Sequence, residues 1–184
     1  MGTREFLEAQ RRPADFVPLA ADEGCDYDFH DEIDLETLEP LIAQPSMPDN
    51  VVPVREIEGT PCHQVIVGSS ANPGYEALWL CVEVLRRRPV HPGVAFHVNP
   101  GSRQVIANLA EQGGVAVLLE GGATIHQPGC LGCIGMGQAP GTGQVSLRTF
   151  PRNFKGRSGT QDDRVYLCSP ETAAASALAG VIRD

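Results

Sequence analysis

The chain has 184 residues, 42% of them hydrophobic, with 14 Lys and Arg against 23 Asp and Glu for a net charge of −9. That length suits a single packed core, and 20 Gly with 15 Pro beside ten aromatics favours short elements and tight turns over a helical bundle. Net acidity argues against a general nucleic-acid binder, no apolar run approaches the roughly 18 residues that span a bilayer, and Met1-Gly2-Thr3-Arg4-Glu5-Phe6 lacks the basic flank and apolar stretch expected of a secretory signal.

Residues 1–50 read as an acidic lead-in. Eleven acids and no Lys or Arg fall between Pro13 and Val54, so that stretch carries −11 while residues 1–12 and 55–184 each sum to +1. Such a run is a solvated face or arm. Asp26, Asp28 and Asp31 lack the spacing of a calcium loop. A short helix is expected from Asp34, as cap, through Leu35, Leu38, Leu41 and Ile42, with Pro40, Pro45 and Pro48 interrupting this part of the chain.

Residues 51–184 are expected to form one domain. His63–Val67 reads as a strand, Gly68–Gly74 as a loop, and Tyr75–Arg88 as a helix closed by three arginines at its negative end. Val94–Val98 is the next strand, followed by a helix from Ser102 to about Gln112, a short helix over Val115–Leu119 and a strand at Ala123–Ile125. Strands at Val145–Thr149 and Val165–Cys168 precede a last helix, opened by Ser169 as cap and Pro170 in the first turn. Strands alternating with helices predict a three-layer α/β/α fold around a mostly parallel sheet. Its ligands would bind where the loops after residues 67, 98, 125, 149 and 168 gather.

Three of these loops carry chemistry. Gly68-Ser69-Ser70-Ala71-Asn72 is small enough for backbone N–H groups to approach an anion or cofactor. Cys130-Leu131-Gly132-Cys133, in a glycine-rich loop, can turn both sulfurs toward one metal, and His126 is a further candidate donor. No second Cys pair stands at zinc-finger spacing, and the glycines discourage the helix that a dithiol redox pair opens. The six cysteines are expected to stay reduced, in a cytoplasmic setting. Arg148, Arg152, Lys155 and Arg157 lie within ten residues, with no acid from Val145 through Gln161, so the mouth of the site is expected to be basic and to suit carboxylates.

Taken in order, Gly68-Ser-Ser-Ala-Asn72, Pro100-Gly-Ser-Arg103, Cys130-Leu-Gly-Cys133-Ile-Gly-Met-Gly137, Arg152-Asn-Phe-Lys-Gly-Arg157 and Leu167-Cys-Ser-Pro-Glu-Thr-Ala173 resemble the third domain of the aconitase and isopropylmalate dehydratase family. The likeness is nearest to its bacterial putative-aconitase branch and runs from about Ala43 to the end of the chain. The resemblance implies reversible dehydration and rehydration of a di- or tricarboxylic hydroxy acid at a 4Fe–4S cluster held by three cysteines. Two of those positions are Cys130 and Cys133, and the third is Ser70, while Pro151 stands where the family has Asn. Cys62, Cys81, Cys168 or a partner-chain residue are candidates for the missing ligand. Arg152, Arg157 and Ser69 carry over as substrate-binding residues.

The family's acid–base residues lie on other domains. The resemblance therefore implies a hydro-lyase subunit or domain that is inactive alone and works with other aconitase-like domains or subunits on a small polycarboxylate. Nucleic acid and membrane are not expected partners. The rival expectation is a cluster-free binding or assembly module that kept the fold.

Overall fold

The computed structural model of the chain describes residues 2–184. It forms two compact units, one ending at Leu38 and one spanning Glu39–Asp184. The first contains helix α1 (Thr3–Ala9) and a 3-10 turn (Pro13–Asp15), neither of which buries a residue. The helix expected from Asp34 does not form. Thr37 N–H bonds Asp34 O in one isolated turn, and Leu41–Ala43 becomes strand β1 instead. Pro40 accounts for this, since it has no N–H to donate and disfavours helical backbone in the residue before it.

The second unit continues with β2 (Val51–Pro53), β3 (Gln64–Gly68), α2 (Tyr75–Arg87), β4 (Ala95–Asn99), α3 (Arg103–Glu111) and α4 (Gly114–Glu120). It is completed by β5 (Ala123–Ile125), β6 (Val145–Arg148), β7 (Arg164–Leu167) and α5 (Pro170–Ala179). The caps act as their chemistry requires. Ser102 Oγ accepts from Val105 N–H, and Ser169 Oγ accepts from Thr172 N–H with Pro170 at the first helical position.

All seven strands join one sheet in the order β2-β1-β7-β6-β3-β4-β5. The five from β3 to β7 are mutually parallel, and β1 pairs antiparallel with both β2 and β7. The α/β class and the mostly parallel sheet are thus as expected. Side-chain alternation then separates two faces. Val65 and Val67 of β3 enter a large core with Leu78, Val82, Leu109, Leu118 and Ala174, contributed by α2, α3, α4 and α5. Ile66, between them, points the other way into a small cluster with Cys133 and Phe150. The layer on that second face is built from loops and the 3-10 turn Leu131–Ile134.

Chain order explains where a ligand would go. From β3 the chain steps outward to β4 and β5, then returns past both to lay β6 against the other edge of β3. Such a reversal leaves a crevice at the carboxyl ends of the two strands. Here those ends are Gly68 of β3 and Arg148 of β6.

Candidate thiol and arginine site

The crevice is built on a tight backbone approach. Gly68 has φ +116°, and a Cβ there would fall 2.0 Å from Asn99 O of β4, so no side chain fits. Ser69 follows with φ +67°, a left-handed conformation unusual for serine. Its N–H bonds Asn99 O at 2.9 Å, while Gly68 N–H bonds Thr149 Oγ1 at 3.0 Å. Asn72 Nδ2 donates to Thr149 O at 3.1 Å, which ties the loop after β3 to the loop after β6.

This turn delivers the Ser69 hydroxyl to the sulfurs. Ser69 Oγ lies 3.0 Å from Cys133 Sγ and 3.3 Å from Cys130 Sγ, and the two sulfurs are 3.1 Å apart. Hydrogen bonding by Ser69 and then Cys133 holds the exposed Cys130 thiol below its ordinary range. Burial pushes Cys133 upward. Cys130 is therefore the thiol that ionises first. Ser70 is exposed, and its hydroxyl adds a smaller hydrogen-bonding effect on Cys130 in the same direction.

Two arginines hold the thiol loop by its carbonyls. Arg157 Nη1 donates to Cys133 O at 3.0 Å, and its guanidinium lies 5.8 Å from the ring centre of Phe154. Gly135, at φ +83°, lets the thiol loop turn close against the loop bearing Arg157, since a Cβ there would meet Ser158 O at 2.0 Å. Arg148 overturns an expectation. It is 1% exposed, and its guanidinium donates to Gly132 O, Gln138 O, Gln64 Oε1 and Ser146 Oγ. Burial lowers its pKa to about 10. It is a strut beneath the thiol loop and does not contribute to a basic mouth. Arg152 is exposed and makes no hydrogen bond or ion pair among the described residues, and Lys155 sits 4.0 Å from Asp162.

The other candidates for a third ligand are elsewhere. Cys62 and Cys81 lie in the large core on the helix-covered face, and burial pushes both thiols up to about 12. Cys168 packs against that core, with its thiol also driven upward by burial. His126 does not join the sulfurs through a hydrogen bond; its Nε2 lies 3.0 Å from His97 Nδ1 of β4. No group of three His, Cys, Asp or Glu side chains able to hold a metal occurs among the described residues. Cys130 and Cys133 are the two thiols of the second unit that the structure brings together at this site, with the Ser70 hydroxyl beside Cys130.

Comparison with known families matches residues 54–180 to the aconitase family (aconitate hydratase). The chain belongs to that family. It is 43% identical over 184 residues to "3-isopropylmalate dehydratase large subunit 1" of Methanopyrus kandleri, covering 99% of this chain and 44% of that protein. It is 43% identical over 181 residues to "Homoaconitase large subunit" of Thermus thermophilus, covering 97% of this chain and 42% of that protein. With "3-isopropylmalate dehydratase large subunit 2" of Archaeoglobus fulgidus it shares 38% identity over 183 residues, 99% of this chain and 44% of the other. The chain thus spans less than half the length of the curated relatives it matches. No helix among the described residues is long and apolar enough to cross a membrane.

Gln64 and Ser146 carried no signal in the motifs; with Arg148, expected instead in the mouth, they form one buried network across β3 and β6. The available clue was polar residues inside strands that a doubly covered sheet must bury, since each then requires partners.

Proposed function

We propose that this chain is the thiol-bearing domain of an aconitase-type hydro-lyase, which removes and re-adds water across a carbon–carbon bond of a di- or tricarboxylic hydroxy acid. The observation that carries this reading is the meeting of Ser69, Cys130, Cys133 and Arg157 at the strand-order reversal of an aconitase-family sheet. The relatives' names, with dehydratase and homoaconitase large subunits among them, support the same reaction class.

In this reading Cys130 and Cys133 furnish two ligands of a soft-metal centre, an iron–sulfur cluster by family precedent. The remaining ligand is the Ser70 hydroxyl or a group from another chain. Ser69 orients both sulfurs. Arg157 has donors beyond the one given to Cys133 O, and with Arg152 it pairs the substrate carboxylates in charge-assisted hydrogen bonds worth about 1.5–3 kcal/mol each. Acid–base groups come from other domains or a partner subunit, so the chain alone does not turn over.

Anaerobic reconstitution of the assembled enzyme with iron and sulfide tests this reading. The expected result is bound iron, sulfide and visible absorption, all lost with activity in Cys130→Ser. No iron, together with unchanged activity in Cys130→Ser, would overturn it. One observation favours a second reading, a cluster-free binding or assembly module: the hydroxyl of Ser70 at the third thiolate position. Partner association with no citrate binding would support the module, whereas Arg152-dependent citrate binding would support the hydro-lyase.

A further inference from the structure

The acidic segment holds an alternation that none of the chemistry above uses. In residues 26–35 the odd positions carry Tyr27, Phe29, Ile33 and Leu35, broken only by Asp31. The even positions carry Asp26, Asp28, His30, Glu32 and Asp34. Five acids and no Lys or Arg give the segment a charge of −5. Period two is the repeat of a strand with one apolar and one polar face. Yet these residues belong to no helix or strand of this chain.

The apolar side chains have nothing to lie on. Tyr27, Phe29, Ile33 and Leu35 are between 69% and 91% exposed. None of the segment's acids joins an ion pair among the described residues. The backbone is equally free. Among the described residues, no backbone–backbone hydrogen bond involves residues 26–33, and the Glu32 N–H bonds only the carboxylate of Asp31. Free N–H and C=O groups beside a one-sided apolar pattern describe a strand that lacks its sheet.

We infer that residues 26–35 are an edge strand donated to the sheet of a partner domain, the complementary part of the large-subunit architecture beyond the matched half. The alignment to the Methanopyrus protein takes in 99% of this chain, and more than half of that protein lies outside it. The two faces state what the partner's sheet edge offers. Lysines or arginines stand at alternate positions near Asp26, Asp28, Glu32 and Asp34, and an apolar layer receives Tyr27, Phe29, Ile33 and Leu35. A second copy of this chain does not supply that edge. The outer strands of its own sheet, Val51–Pro53 and Ala123–Ile125, hold no lysine or arginine, and Pro53 has no N–H to give. The strand lies outside the thiol site, and its assignment does not require the hydro-lyase reading.

Amide-resolved hydrogen exchange tests this, comparing the 184-residue chain alone with the same chain in its assembled complex. Alone, the amides of residues 26–33 are expected to exchange as fast as free peptide. In the complex every second one should slow by at least about tenfold, because an edge strand turns alternate N–H groups toward its neighbour. No slowing, or slowing without the alternation, would overturn the inference. Two variants check the faces. Ile33→Asp should weaken association by about tenfold or more, and His30→Asp, on the acidic face, by less than about twofold. Both side chains are exposed in the isolated chain, so its urea midpoint should not move in either variant. Equal losses in the two variants, or none in Ile33→Asp, count against the strand. A complex that forms without iron bears on the hydro-lyase reading alone.

Discussion

Arg148 shows how a single side chain can organise a loop it does not chemically serve. Its four hydrogen bonds join Gly132 O and Gln138 O of the thiol loop to Gln64 and Ser146 of the sheet. Replacing it with leucine removes every donor at once and leaves Gly132 O and Gln138 O with one partner each, Gly135 N–H and Gln64 Nε2. Arg148→Leu is expected to lower stability by about 2–4 kcal/mol, measured by urea unfolding. Its lost anchor should also broaden the backbone amide signals of residues 130–138. The identity of Cys130, Cys133 and Arg157 as neighbours was legible from motif order, because each motif closes a strand or its loop at the same sheet edge. The burial of Arg148 was not. By sequence Arg148 falls both in the Val145–Thr149 strand and among the four cations of the mouth, and its pairing opposite Ile66 shows that the strand position prevails.

At the scale of elements, the strands and helices from β3 onward were legible because hydrophobic period, glycine placement and the Ser169-Pro170 cap agree with one another. β1 and β2 were not. Three residues are too few to show a period, and the two strands are defined by pairing with each other and with β7. The lateral pairing of β4 with β5 also brings together two histidines that respond to acid. It places His97 opposite Thr124, next to His126 at the end of β5, and burial lowers His97 from 6.5 to about 4. Between those values the unfolded chain binds a proton that the folded chain excludes. The contribution to stability is therefore intact above pH 6.5 and is lost progressively as pH falls toward 4. His126 shifts in the same direction. Urea midpoints of the native chain should fall more steeply over that range than those of His97→Gln.

For the molecule as a whole, the charge of −9 is unevenly placed. The unit ending at Leu38 holds most of the acidic run yet buries no residue in its helix or its 3-10 turn. Backbone with so few internal bonds opens readily to proteases. Limited digestion with a Glu-specific endoprotease should therefore cut between Asp22 and Glu39 before any bond in the body. Mass spectrometry is expected to find a resistant fragment beginning near Glu39. By composition Leu41–Ala43 look like part of the acidic lead-in, yet by pairing they belong to the sheet.

The return of the chain to β3 has a consequence in time as well as space. Cys130 and Cys133 precede Arg148 and Arg157, the two side chains that fasten their loop. At a synthesis rate of about 5–20 residues per second, a nascent chain carries its thiols for roughly one to five seconds before both arginines have been added. Through that interval β3 has an unfilled edge, and the cysteine pair is a loose dithiol without its later geometry. It is β6 and the loop that follows it that turn the pair into a site.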